Sequence, residues 1–125
     1  MEFGDSNAIY LQIADQVSEN ILRRRWNPGD RIPSVRELAV SIEVNPNTVM
    51  RTFNYLQEKG IIYNKRGIGY FVSDDGFEKT TALRKENFIN QELPRLFREL
   101  QLLNLSMEDL SIFYSQYQES TTRNA

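Results

Sequence analysis

The chain has 125 residues, 40% of them apolar and 26% charged, with a net charge of −2, which suits one small domain with an appendage. It contains no cysteine and no histidine; disulfides, thiol catalysis and zinc-thiolate sites are excluded, and the commonest general base and transition-metal ligand is missing. Apolar runs are a few residues long, and the opening "MEFGDSNAIY" has no basic segment followed by an apolar one, so the expected setting is cytoplasmic, with no membrane span, leader, metal or cofactor.

Ile9 to Arg25 reads as an amphipathic helix. Ile9, Ile13, Val17 and Ile21 recur every four residues with Tyr10 beside them, and Arg23, Arg24 and Arg25 fall in the last turn, where cations complement the helix dipole as a solvated helix end. "NPGD" (Asn27 to Asp30) breaks the chain. In "RIPSVRELAVSI", Ser34 and Glu37 have the spacing of a capping box, so a helix is expected to start at Ser34, with Val35, Leu38, Ala39 and Ile42 on its inner face. A third helix opens almost at once. Asn45 is a suitable N-cap, and Pro46 fits the first helical position because its missing N–H is not needed there. "IIYNKRGIGYFV" (Ile61 to Val72) is rich in β-branched and aromatic residues around a Lys-Arg-Gly turn, and reads as a hairpin with its tip near Lys65 to Gly69. Three helices and a small hairpin outline a winged helix-turn-helix.

"SDDG" (Ser73 to Gly76) reads as a boundary, dividing the chain into residues 1–74 and 75–125. Beyond it a helical stripe carries Phe88, Ile89, Leu93, Leu96, Phe97, Leu100 and Leu103, with Pro94 expected either to kink one long helix or to separate two. Ser106 and Asp109 have capping-box spacing, with Leu105 and Leu110 placed as a hydrophobic staple. The last helix, which includes Leu110 and Phe113, is expected to run to about Glu119, with "STTRNA" as a frayed tail. A Phe/Leu/Ile stripe on helices too few to close a core calls for a partner surface, the alternative being that it packs back on the chain's own winged-helix domain. The expected fold is thus mainly α with a small β-hairpin: a winged helix-turn-helix followed by a short helical dimerisation segment.

The helix from Pro46 to Lys59 buries Val49, Phe53 and Leu56 on one side, and the opposite side presents Asn47, Arg51 and Asn54, bordered by Thr48 and Met50. These groups can bond phosphate oxygens and base edges, and the helix N-terminus favours a phosphate. Arg36 on the preceding helix and Lys65 and Arg66 at the hairpin tip add positive charge. Residues 1–73 hold nine Lys/Arg against eight Asp/Glu, and residues 74–125 hold six against nine, so the acidic balance lies outside the first segment.

Ile9 to Val72, and in particular "GDRIPSVRELA", "VNPNTV", "L-x-x-KGII" and "RGIGYFV", resembles the DNA-binding domain of the GntR family of bacterial transcription regulators. The resemblance implies operator contacts from Ser34, Arg36, Asn45, Asn47, Thr48, Lys65, Arg66 and Gly67, the last with a backbone that can approach the minor groove. Several members carry a guanine-reading arginine where this chain has Met50; here the nearest arginine is Arg51, placed to bind phosphate. The short remainder resembles the YtrA-like subfamily, whose two C-terminal helices dimerise. The implied function is a homodimeric DNA-binding regulator, a repressor at an inverted-repeat double-stranded operator. The alternative is a winged-helix protein–protein module without DNA binding. An enzyme is not expected, and a small-molecule effector is left open.

Overall fold

The computed structural model describes residues 8–124. Residues 1–7, which hold most of the opening segment expected to carry no leader, and Ala125 of the expected tail lie outside the described residues. The elements in order are α1 (Ile9–Leu22), α2 (Val35–Ile42), α3 (Pro46–Glu58), β1 (Ile62–Lys65), β2 (Gly69–Val72), α4 (Gly76–Asn87), a π-helical turn (Phe88–Glu92), α5 (Leu93–Leu102) and α6 (Met107–Asn124).

The described residues fall into two compact units, the first reaching Lys85 and the second starting at Glu86. The core of the first is built from apolar faces at helical spacing. Ile13, Ala14, Val17 and Ile21 of α1 join Val49, Phe53 and Leu56 of α3, and Ile32, Ala39, Ile61, Ile62 and Val72 complete the cluster. Each fully buried Val, Leu, Ile or Phe contributes about 1.5–3 kcal/mol. Ile9, expected on the inner face of α1, is instead 56% exposed at the first residue of the helix. The Thr52 hydroxyl, buried in α3, donates to the Tyr10 carbonyl at 2.7 Å and ties the start of α1 to the middle of α3.

Local chemistry sets most of the element ends. Ser34 and Glu37 form the reciprocal capping box: the Glu37 N–H donates to Ser34 Oγ at 3.0 Å and the Ser34 N–H donates to Glu37 Oε1 at 2.9 Å. The Asn47 N–H donates to Asn45 Oδ1 at 2.7 Å at the start of α3. α3 ends at Gly60, whose φ of +76° suits glycine and lets the Ile61 N–H reach the Leu56 carbonyl at 2.9 Å.

α1 ends sooner than its arginine run implied. Arg24 adopts φ +63°, and the N–H groups of Arg24 and Arg25 close onto the carbonyls of Ile21 and Asn20 at 3.1 and 2.9 Å, which is a Schellman ending with arginine where glycine is usual. The contact that accompanies this is tertiary. The Arg24 guanidinium lies 3.6 Å from the centroid of the Phe77 ring, a cation–π pair, while Arg23, Arg24 and Arg25 all stay exposed as a solvated helix end.

α4 belongs to the same packing. Phe77 and Leu83 sit against the core, and a Cβ at Gly76 would come within 2.7 Å of Val72 Cγ1. The division expected after residue 74 therefore coincides with the start of α4, while the compact unit continues to Lys85.

In the second unit Pro94 is the second residue of α5, and a π turn divides α5 from α4. The π turn precedes it, with the Leu93 N–H reaching back to the Phe88 carbonyl. This wider turn relieves the clash of the proline ring with the carbonyl four residues earlier. Ser106 and Asp109 form the predicted box at 2.9 and 3.1 Å. α6 continues to Asn124, five residues beyond the expected Glu119.

Candidate nucleic-acid interface

α2 and α3 are joined by Glu43, Val44 and Asn45, with Glu43 at φ +57° and the Val44 N–H bonded to the Ala39 carbonyl at 3.0 Å. This is a helix-turn-helix. Packing of Val49, Phe53 and Leu56 into the core turns Asn47, Arg51 and Asn54 to solvent, the face the spacing predicted.

The expected site residues divide by role. Arg36, Asn45, Asn47, Arg51, Lys65, Arg66 and Gly67 are exposed, while Ser34 and Thr48 are half-buried. Ser34 Oγ and Asn45 Oδ1 already accept capping hydrogen bonds, which leaves the Ser34 O–H and the Asn45 amide N–H groups as their donors. Accepting the Ser34 backbone N–H, and then the Ser34 side-chain contact, holds the Glu37 carboxyl below its ordinary value.

Arg51 does not extend freely. Its guanidinium lies 4.0 Å from the centroid of the Tyr10 ring, which itself meets Tyr55 edge-on at 6.0 Å. Stacking fixes a guanidinium without occupying its five donors. Met50 also has a structural partner: the Tyr70 hydroxyl lies 4.0 Å from its sulfur, and the Tyr70 ring meets Phe53 edge-on at 4.8 Å. Met50 therefore links α3 to the wing.

β1 and β2 pair antiparallel, with Lys65 opposite Gly69 and Ile62 opposite Val72. The Ile68 N–H donates to the Lys65 carbonyl at 2.8 Å and closes the tip. Gly67 has φ +79° and nothing within 4 Å of where a Cβ would lie. Glycine is required there by the turn, and the tip is open to close approach. The sequence reading missed Arg31, which forms a bridge to Phe71 beside the wing; the signal available was an extended pre-proline stretch after the Gly29 turn.

Residues 9–72 match the family model of bacterial regulatory proteins, gntR family. The chain belongs to the GntR family. It is a transcriptional regulator with a DNA-binding winged helix-turn-helix, and not an enzyme. The HTH-type transcriptional repressor YtrA of Bacillus subtilis (strain 168) is 39% identical over 106 residues, covering 84% of this chain and 80% of the repressor. A crystal structure of a GntR-family protein from Bacteroides thetaiotaomicron superposes with a TM-score of 0.74 at 44% identity, covering 91% of this chain and 99% of the other. The DNA-binding domain of AraR in complex with operator ORR3 superposes with a TM-score of 0.50 at 28% identity, covering 51% of this chain and 77% of that one. Among the described residues of this GntR regulator, no helix is long and apolar enough to cross a membrane.

An Asn amide on this exposed N-terminal face of α3 can pair with an adenine edge. Asn47→Ala is expected to cost about 1–3 kcal/mol on the best duplex and less on random DNA. Competition titrations of the two duplexes check this, and equal losses on both would make Asn47 a backbone contact.

Proposed function

We propose that the chain is a repressor acting on bacterial DNA in the cytoplasm, bound as a homodimer to an inverted-repeat operator. α3 lies in the major groove of each half-site and the wing tip in the adjacent minor groove. Asn47 and Thr48 read base edges. Arg51, held on Tyr10, and Arg36, exposed on α2, bind phosphate with the Ser34 and Asn45 donors. Lys65, Arg66 and the Gly67 backbone enter the minor groove. Repression is supported by the resemblance to the repressor YtrA over 84% of this chain.

The observation that carries the dimer is the apolar surface of the second unit. Ten of the fifteen large hydrophobic side chains exposed among the described residues lie between Phe88 and Tyr117. α6 has eighteen residues and none of those described is buried, although Leu110, Phe113, Tyr114 and Tyr117 make one helical stripe. Most helical stability in proteins comes from packing of an apolar face, and a unit of about 40 residues seldom holds itself together. Of the expected seam, Phe88, Ile89, Phe97, Leu103 and Phe113 are exposed, Leu93, Leu96 and Leu110 are half-buried, and Leu100 is 8% exposed. Leu100 therefore serves the chain's own packing, and the seam is drawn through the exposed residues.

Lys65→Ala combined with Arg66→Ala tests the wing. Both side chains are exposed at a hairpin tip, where substitution changes stability little. With two wings on the operator, the slope of log affinity against log salt is expected to fall by about two to four units. A slope equal to that of the parent removes the wing from the interface, and a parent chain that shifts no duplex at any salt leaves the protein–protein module as the reading.

A further inference from the structure

A one-residue bridge at Arg31 extends the two-stranded wing, and the wing has a second face. The segment around Arg31 pairs with β2: the Gly29 N–H donates to the Val72 carbonyl at 2.8 Å, the Val72 N–H to the Asp30 carbonyl at 3.0 Å, and the Ile32 N–H to the Tyr70 carbonyl at 2.9 Å. These bonds set Arg31 directly opposite Phe71. Phe71 in turn opposes Tyr63 in β1, and Gly69 opposes Lys65. Residues directly opposite, and residues two apart on one strand, share a face of the sheet. One face therefore carries Arg31, Phe71, Tyr63, Lys65 and the bare backbone of Gly69. The other carries Ile62, Tyr70 and Val72, with Ile62 and Val72 buried and Tyr70 packed on Phe53 of α3.

The outer face carries two cations, each beside a feature of the wing. A Cβ at Gly69 would lie 2.8 Å from Arg31 Nε, so glycine at 69 leaves the notch in which the guanidinium lies. Arg31 is exposed, and among the described residues it forms no side-chain hydrogen bond or ion pair. The nearby Glu37 senses its charge, but that carboxylate accepts the Ser34 N–H at 2.9 Å. Lys65 Nζ lies 4.8 Å from the centroid of the Phe71 ring, and Phe71 stacks on Tyr63 at 5.7 Å. Two unneutralised cations thus flank an aromatic pair, with Arg31 one row behind Lys65 along the wing.

We propose that this outer face grips the DNA strand on the far side of the minor groove from α3, with Arg31 and Lys65 as its phosphate contacts. A hairpin tip in a groove about 6 Å wide lies between two phosphate backbones. Its inner side meets the backbone shared with the major groove that receives α3, and its outer side meets the other. The step from Lys65 to Arg31 follows that backbone outward, so each half-site gains a flanking phosphate that the recognition helix does not reach. The inference rests on the wing entering the minor groove, as proposed above.

The test titrates the full chain, Arg31→Ala and Arg31→Lys against a selected duplex of about 30 bp, roughly three helical turns, over a range of salt. A second duplex carries uncharged methylphosphonates at the outer flanking positions. Arg31→Ala removes one contact from each of the two half-sites and is expected to lower the salt slope by about 1.8, Arg31→Lys to keep it, and the methylphosphonates at the Arg31 positions to weaken the parent chain but not Arg31→Ala. A parental slope for Arg31→Ala, or a parent chain indifferent to the outer phosphates, overturns the proposal. The second arm needs no substitution, so it stands even where Arg31→Ala unfolds. If Lys65→Ala with Arg66→Ala also leaves the slope unchanged, the wing reading falls with it; if that variant alone changes the slope, only Arg31 is removed.

Discussion

A chain carrying Phe97→Asp and Phe113→Asp is expected to sediment as a monomer at micromolar concentration and to lose roughly 10²–10⁴ of its operator affinity. Each winged domain makes only a handful of contacts, and a single small module buries a modest interface on DNA. Two domains joined through the second unit make the second half-site an intramolecular partner, provided that the half-sites lie about one helical turn, or a multiple, apart. Phe97 and Phe113 are 47% and 53% exposed, so a carboxylate at either position is tolerated by one protomer and is costly only where a partner would desolvate it. Leu100→Asp is a poorer test, because Leu100 is buried within its own chain and the substitution would act on the protomer's stability as well. A chain ending at Lys85 keeps the packed Phe77 and Leu83, and is expected to fold and to bind as weakly as the double variant. A cut after Ser73 would remove both of these side chains and Gly76. Sedimentation alongside duplex titration reads the result. A double variant that stays dimeric, or a truncated chain that binds the palindrome as tightly as the parent, would sink the proposed seam.

Phe53→Ala is expected to cost about 3–5 kcal/mol of folding stability, a large share of the roughly 5–15 kcal/mol that holds a small domain together. Phe53 is fully buried at the centre of the α1–α3 core, and its ring meets Tyr70 edge-on at 4.8 Å. One side chain thus serves both the core and the seat of the wing. Phe53→Leu keeps most of the volume and loses the ring contact. It is expected to lose much less stability, yet to weaken DNA binding by loosening the wing against α3. Chemical denaturation, followed by titration at a temperature where each variant is folded, separates the two effects. A loss below about 1 kcal/mol for Phe53→Ala would mean that the site collapses around the cavity rather than leaving it open.

The parts of this protein that the sequence by itself determined are those whose partners lie within about four positions. Ser34 with Glu37, Asn45 with Pro46 and Ser106 with Asp109 mark helix starts, because capping joins a side chain to a backbone N–H one turn away. The hairpin tip is equally local, since the chain must turn between Lys65 and Gly69 whatever surrounds it. Burial of Val49, Phe53 and Leu56 follows from their spacing, and with it the exposure of Asn47 and Arg51. Other features were decided only when distant segments met. Arg24 leaves the helix for a left-handed conformation and lies on Phe77, Arg51 is pinned by Tyr10, and Met50 meets Tyr70. Arg31 bridges to the edge of a wing whose strands lie some thirty to forty residues on. Leu100, one of several leucines with the same helical spacing, is the one the fold buries. Spacing along one helix shows which side chains share a face. Only the packing of separate elements decides which face is covered, and which arginine finds a ring, a glycine notch or open solvent.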